Sequence, residues 1–260
     1  MNPSIAIITP GLITSSIDYE IFTKCLDSVA QQTYKNYVHH IFVDGLEHFE
    51  PIKKIVKDKN YSNIRINLIE ENIGKNWYAH RIYAASSFLV NQDIIVYLDI
   101  DNWLESEHLQ SFIDLFNKKP SLQWSYSLRK IFDKDANYIC DDNCESLGKW
   151  PTFHNKDVYH IDTSCYAVKK ETAVAIGHAW YGQWGADRQF FSALKDYFPN
   201  FQCTKQYTLC YRLGGNDNSV KKEFFIEGNK IHQNKYGKEF PWLKEEALEH
   251  VIGPGIRIQV

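Results

Sequence analysis

The chain has 260 residues, 44% hydrophobic, 23% charged and 15% aromatic, a globular composition that excludes disorder or low complexity as its main state. With 29 Lys and Arg against 32 Asp and Glu, the formal charge is -3, so no net basic field exists to hold a nucleic-acid backbone and nucleic acid is not an expected partner. No run approaches the roughly 20 apolar residues of a membrane span, no secretory signal pattern is visible, and the six scattered cysteines form no C-x-x-C pair, which points to reduced thiols in a cytoplasmic protein.

In chain order, Ser4 to Thr9 reads as a buried strand ending at Pro10 and Gly11. A helix follows from about Asp18, because Phe22, Cys25, Leu26 and Val29 fall on one face. Val38 to Val43 is a second strand, a helix lies near Pro51 to Lys57, and the β-branched alternation of Ile64 to Ile69 marks a third strand. After a loop over Glu70 to Asn76, a helix is expected from Trp77 to Leu89 and a fourth, almost wholly apolar strand from Asp93 to Leu98. This alternation predicts an α/β fold around a mostly parallel sheet. Beyond Asn102 the pattern changes to a helix over Glu105 to Phe116, strands over Gln123 to Phe132 and Tyr138 to Cys140, and an irregular stretch from Gly148 to Asp157. Phe190, Phe191 and Leu194 give a helical stripe starting at Asp187, and the last 40 residues read as a charged, helix-like extension. The expected organisation is one domain over 1–220, its donor half 1–102 and its acceptor half 103–220, followed by a helical extension over 221–260.

The sharpest chemical signal is Asp99-Ile100-Asp101, which follows the fourth strand at the place where open α/β sheets bind ligands. Residues i and i+2 project alike from an extended strand end, so the two carboxylates are suited to share Mg²⁺ or Mn²⁺ against a diphosphate. Asp133-Lys134-Asp135 has the same spacing but sits among turn residues. Asn72 and Gly74 suggest a tight turn near a ligand, with Arg81 offering a fork to phosphate or to Asp99. Plainer readings stand beside these: a solvated strand end for the Asp pair, a loop glycine at Gly74, a structural ion pair at Arg81, and a helix N-cap at Asp187.

Taken together, these residues resemble the inverting family 2 glycosyltransferases of the GT-A fold over roughly residues 4 to 200. The resemblance rests on Thr9-Pro10 at the first strand end, Phe42-Val43-Asp44-Gly45 at the second, Asn72, Gly74 and Arg81, Tyr97 to Asn102, and Trp184-Gly-Ala-Asp187-Arg188. It implies donor contacts at Thr9, Pro10, Asp44, Asn72, Gly74, Arg81 and Asp99, a divalent cation (Mn²⁺ or Mg²⁺) at Asp99 and Asp101, and Asp187 as catalytic base. Trp150, His160, Asp162, Trp180 and Trp184 are acceptor-side candidates. The implied enzyme is a hexosyl- or N-acetylhexosaminyltransferase. It moves sugar from a nucleotide-sugar donor, a UDP-sugar first, to a glycan or glycolipid acceptor in surface glycan, lipopolysaccharide or capsule synthesis, with peripheral contact at the inner membrane face allowed. This sequence departs from the family's pattern in carrying one Asp at the second strand end and Ala186 where the family has Glu. The alternatives are a sugar nucleotidyltransferase, which calls for a basic phosphate loop that Gly11 to Ser16 lacks, and a non-catalytic binding module.

Overall fold

In the computed structural model, which describes residues 2–214, 220–237 and 239–244, strand β1 (Ile5–Gly11) is buried along its whole length, as its unbroken apolar run requires. It runs on through Pro10 and Gly11, which pair with Phe42 and Val43. Gly11 belongs there because a Cβ would lie 2.9 Å from Ile52. Helix α1 (Ser16–Ala30) starts slightly before the expected Asp18, since Ser15 and Asp18 close a capping box, and the stripe of Phe22, Cys25, Leu26 and Val29 is buried. Strand β2 (Tyr37–Asp44), helix α2 (Phe49–Lys59), strand β3 (Ile64–Ile69) and strand β4 (Ile94–Tyr97) follow the sequence pattern closely.

Helix α3 (His80–Leu89) does not begin at Trp77. Asn76, Tyr78 and Ala79 have φ of 63°, 50° and 61°, and a right-handed helix cannot propagate through left-handed residues. The later half comprises β5 (Trp103–Leu104), α4 (His108–Lys118), β6 (Trp124–Phe132), β7 (Tyr138–Asp141), β8 (Pro151–Thr152), β9 (Asn155–Tyr159), β10 (Tyr166–Lys169), α5 (Lys170–Ile176), α6 (Ala186–Tyr197), β11 (Phe201–Arg212) and α7 (Lys222–Tyr236). The stretch expected to be irregular contains the β8–β9 hairpin, whose register shifts between Pro151 and Thr152.

The main sheet has the order β3-β2-β1-β4-β10-β6-β11-β5, with β7 paired to β6. Its first four strands are parallel. β10 then runs antiparallel to both β4 and β6, β11 lies parallel to β6, and the sheet as a whole is mixed. Helix α7 packs Phe225 into a small cluster with Ile131, Cys144 and Leu213. Gly228 permits that approach, since a Cβ there would lie 2.6 Å from Phe153. Trp242 is buried in the main core, and its indole N–H donates to Asn143 at 3.0 Å. Residues 245–260 of the expected extension lie outside the described residues.

The polar centre of the later half is Arg129 on β6, which is 2% exposed. Its Nε donates to Asp142 at 2.8 Å, Nη1 to Asp162 at 2.7 Å and Nη2 to Glu145 at 2.6 Å. Tyr211 and Phe225 flank the guanidinium at 4.5 and 5.4 Å. Removing one member of a buried ion cluster leaves the others charged and unpaired. Arg129→Met is therefore expected to lose about 3–5 kcal/mol in urea unfolding, and Arg129→Lys to recover only part of that loss, because an ammonium cannot reproduce a planar fork to three carboxylates.

Candidate active site

The carboxyl ends of β1 and β4 adjoin where the strand order reverses, the position at which open α/β sheets bind ligands. Directly after β4 the chain turns, with the Asn102 N–H donating to the Asp99 carbonyl at 3.2 Å. Asp99 and Asp101 thus come together on a tight turn, and this corrects the expectation that they project alike from an extended strand. Asp99 is held on both oxygens: the Tyr83 hydroxyl donates to Oδ1 at 2.6 Å and the Ser164 hydroxyl to Oδ2 at 3.2 Å.

The electrostatics are acidic and only partly compensated. Burial pushes Asp99 up to about 7, with the charges of Asp101 and Asp162 adding to the effect against hydrogen bonds from Tyr83 and Ser164. Burial lifts Asp101 to about 6, reinforced by Asp162 and Asp18 and opposed by Arg212. That surplus of carboxylate charge fits a hard divalent cation with oxygen ligands. Among the described residues no group of three or more His, Cys, Asp or Glu side chains is disposed to enclose a metal.

Asp44 ends β2, and its two oxygens accept the N–H groups of Ile73 and Gly74 at 2.7 and 2.9 Å. Gly74 is required by that approach, because a Cβ would lie 2.5 Å from the Asp44 carboxylate. Asn72 accepts the Lys75 N–H at 2.9 Å and closes the same loop. Arg81 is turned away from Asp99: its guanidinium lies 3.8 Å over the Trp77 ring, and its Nε is buried with no partner. Thr9 is fully buried and its hydroxyl meets His39 Nε2 at 2.9 Å. Its side chain is therefore committed to the core, and the buried Pro10 lies inside the strand.

Asp187 lies in the first turn of α6, whose cap is Gly185 at φ 86°, so the N-cap reading is replaced by a first-turn position. Its Oδ1 accepts the Arg188 N–H at 2.8 Å, and its Oδ2 lies 3.7 Å from His160 Nε2. Phe190 anchors this helix by stacking on Trp180 at 4.0 Å. Ala186 is buried, and a Cβ on Gly182 would lie 3.2 Å from it. Asp162 lies between the two groups, its charge felt by Asp99 and Asp101 and itself affected by His160 and Asp187.

Three acceptor-side expectations are corrected. Asp162 is buried with Oδ1 on the Ser164 N–H at 3.0 Å and Oδ2 on Arg129, which leaves it committed to structure. Trp180 is fully buried among Tyr83, Tyr97 and Phe190. Trp150 packs on Tyr236 and Trp242. Trp184 is 63% exposed, and Tyr181, 62% exposed, lies 5.0 Å from the Trp77 ring at a tilt of 38°. His232 is buried, with Nδ1 at 2.8 Å from the Asn143 carbonyl. The residues that sequence reasoning missed are Tyr83, Ser164 and Arg129, none of which stands in a local motif.

The description Glycosyl transferase family 2 matches residues 16–177. The chain belongs to glycosyltransferase family 2. A Haemophilus influenzae protein described as uncharacterized is 32% identical over 139 residues, covering 52% of this chain and 88% of that one. Among solved structures, S. aureus TarS residues 1–349 in complex with UDP is similar with a TM-score of 0.61 at 13% identity, over 88% of this chain and 64% of that chain. The same protein in complex with UDP-GlcNAc gives 0.60 at 11% identity, over 89% and 73%. This family 2 chain thus spans less than two thirds of the first of these structures. Its fold is that of the GT-A glycosyltransferases. Among the described residues, no helix is long and apolar enough to cross a membrane.

The raised position of Asp99 has a signed consequence. The unfolded carboxyl ionises near its ordinary value of 3.8 and the folded one near 7, so the native state loses stability as pH rises from about 4 to about 7 and stays level above that. In chelator at pH 8, Asp99→Asn is expected to melt above the wild type, with the advantage shrinking toward pH 5. Added Mn²⁺ should reverse the order at pH 8. Differential scanning fluorimetry of both proteins at each pH checks this, and an Asn variant less stable in chelator at pH 8 contradicts it.

Proposed function

We propose that this chain transfers a sugar, with inversion, from a nucleoside-diphosphate donor to an acceptor hydroxyl, using Asp187 as base. What carries the reading is the Asp99–Asp101 turn at the end of β4, held by Tyr83 and Ser164, with Asp187 and His160 presented from separate segments. In this reading residues 1–102 bind donor, 103–220 shape the acceptor side, and 221–260 form a C-terminal extension. The donor class is a UDP-sugar carrying a hexose or N-acetylhexosamine. UDP is the nucleotide to test first, because TarS was crystallised with UDP and with UDP-GlcNAc.

Asp99 and Asp101 would hold Mn²⁺ or Mg²⁺, which when bound offsets the negative charge that develops on the departing diphosphate. The Asp44 carboxylate fixes the 72–74 loop as a donor-side wall, and Arg81 brings a cation to it, its Nη1 donating to the Ile73 carbonyl at 3.5 Å, with Pro10 and Thr9 setting the strand end behind it. The Asp187 carboxylate takes the proton of the acceptor hydroxyl as the new C–O bond forms at the anomeric carbon. The bond from that carbon to the diphosphate oxygen breaks on the opposite face, and its electron pair leaves with the nucleotide. His160, 3.7 Å from Asp187, orients the base, and the side chain of Asp187, 27% exposed, is open enough to return its proton to water. Trp184 and Tyr181 offer aromatic faces to a glycan or glycolipid acceptor of the kind used in surface polysaccharide synthesis.

Two variants test the assignment. Asp187→Asn should keep the wild-type melting temperature and donor affinity yet lose about 10²–10⁴ in transfer rate; near-normal turnover would move the base elsewhere. Asp101→Ala should abolish Mn²⁺-dependent UDP binding in calorimetry, and unchanged binding in chelator would remove the cation from the reading.

A further inference from the structure

Ser164 is fully buried in the turn between the 142–162 region and β10, yet every hydrogen-bonding capacity of its hydroxyl is directed at the Asp99–Asn102 turn. Its Oγ accepts the Asp99 backbone N–H at 3.0 Å and an Asn102 side-chain N–H at 3.2 Å, and it donates to Asp99 Oδ2 at 3.2 Å. A hydroxyl has two acceptor sites and one proton, so these three contacts use it completely. The two N–H groups come from opposite ends of the turn, so a single oxygen sets both its closure and the direction of the Asp99 carboxylate.

Ser164 is itself fixed. Its backbone N–H donates to Asp162 Oδ1 at 3.0 Å, and Asp162 Oδ2 takes Arg129 Nη1 at 2.7 Å. The Asp162 N–H is bonded to Ser146 Oγ at 2.9 Å. The hydroxyl is thus the last member of a buried chain that runs from Arg129 on β6 to the carboxylate pair after β4. Asn102 continues it, its Oδ1 accepting the Arg212 N–H at the end of β11 at 3.1 Å.

We infer that Ser164 is the positioning residue for the cation-binding carboxylates, presetting Asp99 and the backbone of the 99–102 turn so that Asp99 and Asp101 receive a divalent cation without rearrangement. The inference rests on the proposed donor-and-cation reading of the site. Groups that orient a metal ligand in this way typically change metal affinity by 10–100-fold when removed.

The test uses the full chain and Mn²⁺ titrated by calorimetry in saturating UDP, with melting temperatures measured alongside. Ser125 serves as control, because it is equally buried and its hydroxyl donates to the Gln202 carbonyl at 2.8 Å, remote from the turn. Ser164→Ala is expected to bind Mn²⁺ 10–100-fold more weakly, whereas Ser125→Ala, with a comparable drop in melting temperature, stays within twofold of wild type. Should Ser164→Ala fail to fold, Ser164→Cys, with its weaker donor and acceptor, is titrated instead and is expected to weaken Mn²⁺ in the same direction. Wild-type affinity in a folded Ser164 variant overturns the positioning role while leaving the donor reading intact. Absence of Mn²⁺ uptake by the wild type in UDP overturns both.

Discussion

The later half of this protein is organised around one buried cation. Arg129 faces Asp142, Glu145 and Asp162 from the middle of β6, and these carboxylates fix two pieces of irregular chain. Asp142 also gathers the N–H groups of Cys144, Glu145 and Ser146, and Asp162 caps the turn that carries Ser164. Charges in a low-dielectric interior are tolerated only when paired and hydrogen-bonded. Residues 142–150 and 160–162 lie outside the strands and helices, and these charge-assisted bonds take the place of a hydrogen-bond ladder there.

From that anchor the order reaches the chemistry through short links. Asp162 holds Ser164, Ser164 holds both ends of the Asp99–Asn102 turn, and Tyr83 on α3 supplies the second donor to Asp99. At that end of the sheet Asp99 and Asp101 are raised mainly by burial, with Asp162 adding to both. Burying a carboxyl in this way costs stability once it ionises. The strained turn at Asn76, Tyr78 and Ala79 belongs to the same end of the molecule. It presents Trp77 to Arg81 and Tyr181, and Asp44 holds the loop preceding it.

Much of this was legible in the amino-acid order. Strands β1 to β4, helix α1 and the stripe of α6 follow from apolar periodicity, which is a local property that burial on one or two faces imposes directly. The Asp99–Asp101 pair and Asp187 were legible for a related reason: each stands at the junction of a periodic segment and a polar one. Trp150, Trp180, Thr9 and Asp162 were misjudged because residue type does not state which neighbours close over a side chain. Trp180 has the aromatic face of a sugar-stacking residue, and Phe190 occupies it.

What the sequence by itself determined was the layered α/β plan and the carboxylates that stand at the carboxyl ends of its strands. What only the tertiary structure decided was which of those groups are free to act. Asp162 and Asp187 are both acidic residues of the later half, but Arg129 commits the first to structure while the second stays open beside His160. Ser164 meets Asp99 across 65 residues of chain. Such partners leave no periodic trace, because hydrogen bonds between distant segments depend on where the packed sheet and helices bring the backbone, and not on the spacing of residues along it.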